Sequence, residues 1–273
     1  MNLREQLFKQ KIEILKSMTD PETNKIQSNL LNKVSCPICG KDQSKRVYQK
    51  DGFDFVQCDI CTDFVYVNPQ LKSNICESFY ISSDIMSTLI ELQQEEKAIE
   101  AKIKYRPILD RLEKYKANER QLLDIGCSIG NFMELACEYG WKAEGIEINK
   151  KAIELCRQKG LKVYNTKLDE FRLNSSYDLI TMFALIEHLV DPNSMLQSIH
   201  HILKERGYLL LFFPDWNFDW HHPQVNGRAH LWYFTNTTIK MLLKKNNYQI
   251  CETWVIDWLK GPKRIVIAKK VYS

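Results

Sequence analysis

Residues 121–149 read QLLDIGCSIGNFMELACEYGWKAEGIEIN. An apolar run ends on Asp124, a turn containing Gly126 and Gly130 follows, and after an amphipathic segment a second apolar run ends near Glu147. This order predicts a strand, a glycine turn, a helix and a second, parallel strand. Because glycine has no Cβ, such a turn lets the backbone approach a ligand closely. We therefore interpret the stretch as the ligand-binding unit of an open α/β sheet.

The spacing of this turn narrows the class of cofactor. It is D-x-G-x-S-x-G, with Ser128 where a dinucleotide fingerprint has glycine, and no Gly-Lys-Ser/Thr follows that would indicate a P-loop. Glu147, at the end of the next predicted strand, can accept hydrogen bonds from both hydroxyls of a ribose. A ribose site beside a turn that need not hold a diphosphate predicts a nucleoside cofactor without a pyrophosphate.

From Gln121 onward, strand and helix patterns alternate along the chain. Seven strand patterns, most of them separated by a helical pattern, predict an α/β fold with a doubly wound, mostly parallel seven-stranded sheet. The last two strands follow each other without a helix, so we expect an antiparallel pair at one edge. The helix before the fifth strand is predicted to begin after Asp191 and to end at Gly207.

Changes in composition divide the chain into four parts. Residues 1–32 are predicted to form an N-terminal helix, 33–70 a small cysteine module, 71–118 a helical linker or lid, and 119–273 the sheet domain. A hydrophobic content of 44% is typical of a globular protein, and a net charge of +4 is weak for a protein that binds nucleic acid. The chain has no run of 18 apolar residues and no signal-peptide pattern, so no membrane segment is expected.

Four of the nine cysteines form two C-x2-C pairs, Cys36 with Cys39 and Cys58 with Cys61. This spacing is typical of a structural zinc site with four thiolate ligands. Without a secretory signal, paired thiols favour metal binding in the reducing cytoplasm over disulfides. A segment of about 35 residues has too little core to fold alone, so zinc would stabilise it. Free thiols are the alternative interpretation.

The quoted stretch and the block YDLITMFALIEHLVDPNSMLQSIHHILKERGYLLLFFP, residues 177–214, together resemble class I S-adenosylmethionine-dependent methyltransferases. The resemblance covers about residues 120–270, and the turn of that family usually has glycine where Ser128 stands. Cysteine module, helical linker and core in this order are similar to bacterial methyltransferases of sugar and natural-product pathways. The resemblance implies S-adenosylmethionine as cofactor and a small molecule as methyl acceptor.

The resemblance also implies cofactor contacts. Asp124, Gly126 and Gly130 would shape the pocket for the methionine part, Glu147 would hold the ribose, and Ile148 would lie beside the adenine. The remaining cofactor contacts are expected from Cys127 and Ser128 in the turn, Lys167 and Leu168 beside the adenine, Phe183 at the methionine end, and Tyr80 folding over the cofactor from the linker.

Methyl transfer to a hydroxyl needs a proton acceptor, and histidine is the usual one. Glu187 and His188 follow the fourth strand, at the edge where cofactor and acceptor would meet. A predicted loop at residues 214–235 carries further histidines, of which His230 is our first candidate for the base and His222 another. The same loop is expected to form the acceptor pocket with its aromatic residues Trp216, Trp220, Trp232 and Tyr233.

Two other functions remain open at this point. An RNA methyltransferase could use the cysteine module to hold RNA, but the fourth strand does not end in the Asn-Pro-Pro-Tyr type of motif used for adenine, and the module is mixed in charge. A non-catalytic cofactor-binding scaffold is less consistent with the presence of Asp124, Gly130 and Glu147. The expected function is methyl transfer to a hydroxyl or amine of a sugar, glycan precursor or secondary metabolite.

Overall fold

The computed structural model describes the chain except for a few short segments. In the N-terminal part the linker forms three helices, and the cysteine module is built from short strands. The described residues are 2–95, 98–115, 119–171, 176–216, 220–221, 225–257 and 261–271. The first elements are α1 Leu3–Met18, β1 Leu31–Asn32, β2 Ser44–Lys50, β3 Phe53–Cys58, β4 Val65–Val67, β5 Gln70–Leu71, α2 Ser73–Ser82, α3 Asp84–Glu95 and α4 Ala98–Leu112.

The second part of the chain alternates strands and helices as its sequence pattern predicts. The apolar runs at residues 121–125 and 177–183 are buried along nearly their whole length, as in a sheet covered on both faces. The elements are β6 Gln121–Ile125, α5 Asn131–Glu138, β7 Lys142–Glu147, α6 Lys150–Gln158, β8 Lys162–Asn165, β9 Tyr177–Phe183, α7 Pro192–Ile202, β10 Leu203–Pro214, β11 Trp232–Tyr233, α8 Asn236–Lys245, β12 Tyr248–Ile256 and β13 Lys263–Lys270.

The central sheet has seven strands in the order β12-β13-β10-β9-β6-β7-β8. The five strands from β10 to β8 are parallel, and β13 pairs antiparallel with both β10 and β12. The predicted mostly parallel seven-stranded sheet is therefore confirmed, including the antiparallel pair at one edge. The order reverses at β6, which places the glycine turn at the switch point where open α/β sheets bind ligands.

The predicted end of the helix before the fifth strand of the central sheet is wrong. The helix α7 ends at Ile202, five residues before Gly207, and β10 begins at Leu203. A Cβ on Gly207 would lie 2.8 Å from Leu203 Cδ1 and 2.9 Å from the Tyr177 carbonyl oxygen. Gly207 is thus required by close packing inside the strand, at the register shift between β10 and β9, and does not end the helix.

A second sheet joins the cysteine module to the sheet domain. Its order is β11-β4-β3-β2, with all neighbours antiparallel. Trp232 pairs with Tyr66 and Tyr233 with Val65, so residues 232–233 are a strand and the prediction of a loop is wrong there. Both side chains are 3% exposed. Burial of these aromatic residues against the module stabilises the strand. The polar residues around it in the sequence led to the prediction of a loop.

The core runs without interruption from the module into the sheet domain. One cluster of buried side chains contains Cys58 and Tyr66 of the module together with Leu123 and Phe213 of the central sheet. The Pro37 carbonyl oxygen, between the first two cysteines, accepts hydrogen bonds from Asn193 Nδ2 at 2.9 Å and Lys245 Nζ at 2.7 Å. The module is therefore fixed to the sheet domain on two sides.

The N-terminal segment contains less helix than predicted for residues 1–32. The helix α1 ends at Met18, because Pro21 follows shortly and cannot continue it. Its Gln10 accepts a hydrogen bond from Thr88 on α3 at 3.0 Å, which fixes the linker.

Of the helices in the described part of the chain, none combines the length and hydrophobicity needed to cross a bilayer. The domain boundaries at residues 32, 70 and 118 stay a prediction.

Candidate active site

The glycine turn lies between β6 and α5. Gly126, Ser128 and Gly130 all have positive φ, at +74°, +49° and +76°. Glycine adopts this conformation readily, whereas serine is strained in it. A Cβ on Gly130 would lie 2.4 Å from Leu161 Cδ1, so this glycine is required by space as well as by conformation. The turn thus packs tightly against α6 and the residue Leu161 that follows it.

Glu147 is tied directly to this turn. Its Oε2 accepts a hydrogen bond from Ser128 N at 3.0 Å, and its Oε1 accepts from Ile148 N at 2.8 Å and Asn149 N at 2.9 Å. Three backbone donors fix the carboxylate in one orientation at the carboxyl end of β7. The acid and the turn predicted to share a cofactor are therefore neighbours joined by a hydrogen bond.

Asp124 lies beneath the turn, at the end of β6. It is 3% exposed, and its Oδ1 accepts a hydrogen bond from Thr181 Oγ1 at 2.7 Å. Burial raises the pKa of Asp124 to about 7, the Thr181 hydroxyl opposes this, and the negative charge of Glu147 adds to it. The carboxyl is held in place by β9, one strand over in the sheet.

Cys127 contributes only its backbone to the turn. Its side chain packs below with Met133 and Ile153, and a Cβ on Gly145 would lie 2.6 Å from its sulfur. The neighbouring thiol of Cys156 and then burial raise the pKa of Cys127, so no reactive thiolate forms there.

The linker covers this side of the sheet. Gln93 on α3 accepts a hydrogen bond from Ser128 Oγ at 2.6 Å, and Ile90 packs with Ile129 of the turn. Asn149, which caps α6, donates from Nδ2 to the Tyr80 carbonyl at 3.1 Å. Neither Gln93 nor Asn149 was predicted from the sequence. The capping position of Asn149 after β7 was the one local signal available.

Of the residues expected around the adenine, two have other contacts. Lys167 Nζ forms an ion pair with Glu77 Oε1 of α2 at 2.8 Å, and both side chains are more than one-third exposed. Leu168 is 5% exposed and its side chain packs in the main core, so only its backbone can face a ligand. Ile148 is half-buried beside Glu147.

Phe183, at the end of β9, belongs to an aromatic cluster. Its ring lies 4.4 Å from that of Phe132 on α5 and 5.3 Å from that of Tyr105 on α4, measured between centroids. Burial raises the pKa of Tyr105, and the charge of Asp124 adds to the shift, which places this phenol on the Asp124 side of the site. Tyr105 was not predicted as a site residue, because helical spacing alone indicates no distinct role for it.

His188 has a defined tautomer. Its Nδ1 lies 2.8 Å from the Ala229 carbonyl oxygen and 2.9 Å from the Tyr80 hydroxyl. Because a carbonyl can only accept, Nδ1 carries the hydrogen and Nε2 keeps its lone pair. Burial lowers the pKa of His188 to about 4, although the Ala229 hydrogen bond opposes the shift. His188 is therefore neutral at pH 7, with Nε2 free to accept a proton.

Glu187 and His230 lie beside His188. The Glu187 Oε1 is 3.8 Å from His188 Nε2, and the imidazole centroids of His188 and His230 are 4.7 Å apart. Glu187 is 2% exposed, and neither of its carboxylate oxygens has a hydrogen-bond partner within the described residues. Burial raises the pKa of Glu187 to about 8, and the positive charge of Lys263 opposes the shift.

Three of these side chains could together hold a cation. Donor atoms of Glu187, His188 and His230 all lie within 4.8 Å of one another. The positive charge of Lys263 acts on the same two groups, Glu187 and His188, and opposes a cation between them. A buried acid that is protonated near neutral pH beside a neutral histidine is instead suited to proton transfer.

The predicted acceptor loop packs largely inward. Trp220 stacks on Tyr48 of the module with centroids 4.7 Å apart, and Trp232 Nε1 donates to the Leu189 carbonyl at 2.5 Å. His222 lies outside the described residues. A small cavity remains between β10 and β11, lined by Glu187, Phe213, Pro214, Trp216, His230, Trp232, Tyr233 and Phe234.

The four paired cysteines come together at one point. Their sulfur atoms all lie within 4.8 Å of one another, and Cys39 Sγ is 3.6 Å from Cys58 Sγ. Tetrahedral zinc with Zn–S bonds of about 2.3 Å would hold its sulfurs roughly 3.8 Å apart. Cys36, Cys58 and Cys61 are buried, so the cluster can hold a metal with four thiolates and leave no position for a substrate.

Comparison with known proteins agrees with this geometry. The profile of a methyltransferase domain family matches residues 98–253, more than half of the chain. A ubiquinone biosynthesis O-methyltransferase of Haemophilus ducreyi is 30% identical over 104 residues, which are 34% of this chain and 44% of the relative. The corresponding enzyme of Bordetella avium is 28% identical over 106 residues, 36% of this chain and 43% of the relative. The chain thus spans less than half the length of these relatives.

Solved structures show the same fold at low identity. The magnesium protoporphyrin IX methyltransferase of Synechocystis, with bound S-adenosylmethionine, has a TM-score of 0.56 and 15% identity, over 73% of this chain and 96% of that one. A methyltransferase of Archaeoglobus fulgidus that depends on S-adenosylmethionine has a TM-score of 0.54 and 21% identity, over 67% and 99% of the two chains. The central sheet therefore has the fold of S-adenosylmethionine-dependent methyltransferases, and the chain belongs to the methyltransferase domain family.

Proposed function

We propose that this protein binds S-adenosylmethionine at the β6–α5 turn and transfers its methyl group to a hydroxyl of a small molecule. The observation that carries the proposal is the hydrogen bond between Ser128 N and Glu147, which joins the glycine turn to a carboxylate oriented by three backbone donors. A fixed carboxylate of this kind is suited to the two hydroxyls of a ribose. The acceptor class proposed is a sugar, glycan precursor or secondary metabolite.

The cofactor would lie across the carboxyl ends of β6, β7 and β9. Gly126 and Gly130 would let the backbone approach it, Glu147 would hold the ribose, and Ile148 would contact the adenine. Asp124 and Phe183 would border the methionine part, with Tyr80 covering the site from α2. Asn149 supports this arrangement, because its hydrogen bond to the Tyr80 carbonyl joins α2 to the end of β7.

We propose His188 as the proton acceptor, in preference to His230. The Ala229 carbonyl fixes the Nδ1–H tautomer, so Nε2 is available without any rearrangement. S-adenosylmethionine supplies an activated methyl group on a sulfonium sulfur. The acceptor hydroxyl would form the new O–CH3 bond as the S–CH3 bond breaks, and its proton would pass to His188 Nε2.

The names of similar proteins support an oxygen acceptor. The curated relatives quoted above are O-methyltransferases of ubiquinone biosynthesis, which is a statement about those proteins. A structural neighbour at TM-score 0.50 is a glycopeptide N-methyltransferase, so the fold itself leaves nitrogen possible. A base with a free lone pair favours the hydroxyl, because an alcohol must lose its proton during transfer.

For the four-cysteine cluster we propose one structural zinc ion, bound in the reducing cytoplasm. The cluster offers four sulfur donors at a spacing that suits tetrahedral zinc, and its role would be to stabilise the module. No step of methyl transfer involves it.

Two measurements test the proposed function. S-adenosylhomocysteine should bind the wild type in calorimetry, and Glu147→Gln should lower its affinity about 10- to 100-fold, because an amide cannot accept from Ser128 N and the ribose as the carboxylate does. Glu154→Gln, an exposed acid on α6, is the matched control and should bind normally. Unchanged affinity of the Glu147 variant would contradict the cofactor site.

The second measurement identifies the acceptor. Labelled S-adenosylmethionine is incubated with separate pools of nucleotide sugars, glycans, metabolites and RNA. Label in a small molecule, lost in His188→Gln, is the expected result. Label that appears only in RNA would overturn the acceptor class and favour a module that holds RNA.

A further inference from the structure

Arg228 is a buried charge for which the described residues provide no hydrogen-bond acceptor. The residue is 8% exposed, and it lies between β10 and β11, one position before Ala229. Within the described part of the chain its guanidinium makes no hydrogen bond or ion pair, and Nη1 is completely enclosed. Among these residues the guanidinium contacts the ring of Phe79, whose centroid lies 4.3 Å from the guanidinium carbon.

Such an arrangement is unfavourable unless a ligand completes it. A guanidinium has five N–H donors and stays protonated, so burying it without acceptors costs much of its hydration. Arg264 differs in this respect, because it forms a bidentate pair with Asp215 at 2.6 and 2.9 Å. The contact with Phe79 restrains the guanidinium, which would help its donors to meet an anion.

The position of Arg228 relates it to the reacting groups. The Phe79 ring contacts the Tyr80 ring edge-on at 5.2 Å, and the Tyr80 hydroxyl lies 2.9 Å from His188 Nδ1. The positive charge of Arg228 is among the causes that lower the pKa of His188, after burial. Arg228 therefore lies close enough to His188 for its charge to act on the proposed proton acceptor.

We propose that Arg228 binds an anionic group, a carboxylate or a phosphate, of the methyl acceptor. This inference rests on the proposed function and narrows its substrate class to acceptors that carry such a group near the hydroxyl. Bidentate pairing with the anion would satisfy the enclosed donors and would orient the hydroxyl toward His188 Nε2. The other possible source of a carboxylate is the methionine part of the cofactor, and the experiment separates the two.

The first test is binding and needs no methyl transfer. Inorganic phosphate is titrated by calorimetry into the protein saturated with S-adenosylhomocysteine, using wild type, Arg228→Gln, Arg228→Lys and the exposed control Arg206→Gln. Wild type and control should bind phosphate, the Lys variant should bind more weakly, and the Gln variant should lose about 10- to 100-fold in affinity. Equal phosphate affinity of wild type and Arg228→Gln would overturn the proposal.

The source of the anion is tested with two cofactor analogues. S-adenosylhomocysteine has the amino-acid carboxylate and 5′-methylthioadenosine lacks it. If the acceptor supplies the anion, Arg228→Gln binds both analogues as the wild type does. A loss of affinity for S-adenosylhomocysteine alone would assign Arg228 to the cofactor and refute the acceptor role.

Activity and stability complete the test. With matched acceptors that differ only in an anionic group, Arg228→Gln should lose kcat/KM on the charged member and keep it on the neutral one. Its unfolding temperature without ligand should not fall, because an unpaired buried charge has been removed. A marked fall in the Gln and Lys variants alike would indicate a purely structural role and would overturn the proposal.

Discussion

Alanine at Gly130 tests whether the glycine turn is held as tightly as its geometry indicates. Gly130 has a φ of +76° and directly precedes α5. A left-handed alanine costs about 1–2 kcal/mol. Its Cβ would also lie 2.4 Å from Leu161 Cδ1 and 3.1 Å from Cys156 Sγ, and such overpacking costs about 1–3 kcal/mol. The two effects predict a loss of about 2–5 kcal/mol in the free energy of unfolding.

Gly160 provides a matched control for the conformational part. It has a φ of +74°, and a Cβ built on it would have no heavy atom within 4 Å. Gly160→Ala therefore carries the backbone cost alone, about 1–2 kcal/mol. The difference between the two variants isolates the contact with Leu161 and Cys156, because the backbone conformation is nearly the same.

Urea unfolding of both variants, followed by circular dichroism, gives the two free energies. Calorimetry with S-adenosylhomocysteine then shows whether the turn has moved, and we expect a loss of affinity in Gly130→Ala only. If Gly130→Ala were no less stable than Gly160→Ala and bound the ligand normally, the close packing of the turn against α6 would be refuted.

Three further predictions concern charge, catalysis and metal. Asp124 has a folded pKa of about 7, above its value in the unfolded chain, so the wild type should lose stability relative to Asp124→Asn as pH rises from about 4 to 7. Urea unfolding of both proteins at several pH values checks this. A difference in unfolding free energy that stays constant with pH would refute it. His188→Gln should lower kcat about 10²- to 10⁴-fold with unchanged affinity for S-adenosylhomocysteine, in single-turnover kinetics. Cys58→Ser should contain less zinc than the exposed control Cys137→Ser, as measured by atomic absorption. It should also lose turnover of the acceptor to a greater extent than affinity for the cofactor. A zinc content equal to that of the control would exclude Cys58 as a ligand.

The parts of the fold that depend on local pattern could be predicted from the sequence. The apolar runs ending at Asp124 and Glu147 lie on adjacent strands, so two residues that the sequence predicts to share one cofactor are also neighbours in the structure. The strand count of the central sheet follows in the same way from periodicity. The two paired-cysteine motifs are 18 residues apart, and their convergence also follows from the spacing of the motifs.

The contacts on the acceptor side could not be predicted, because they join residues far apart in the chain. Tyr80 reaches His188 across 108 positions, and the strand at 232–233 pairs with β4 across more than 160. A two-residue strand has no measurable periodicity, so its neighbours in sequence make it resemble a loop. The lack of an acceptor for Arg228 among the described residues depends on all the groups around it, which no sequence motif records.

Leu231 joins the cysteine module to the segment proposed to contact the acceptor. This residue donates from its N–H to the Glu187 carbonyl at 2.8 Å, and its own carbonyl accepts from Val67 N of β4 at 3.0 Å. One residue thus connects the module's sheet to the segment that carries Glu187 and His188. Loss of the proposed zinc ion would loosen β4 and with it this segment, whereas Glu147 and the glycine turn are held by the linker and by β7. Removal of the proposed zinc ion should therefore affect the two parts of the site differently. Methyl transfer should be lost while S-adenosylhomocysteine still binds.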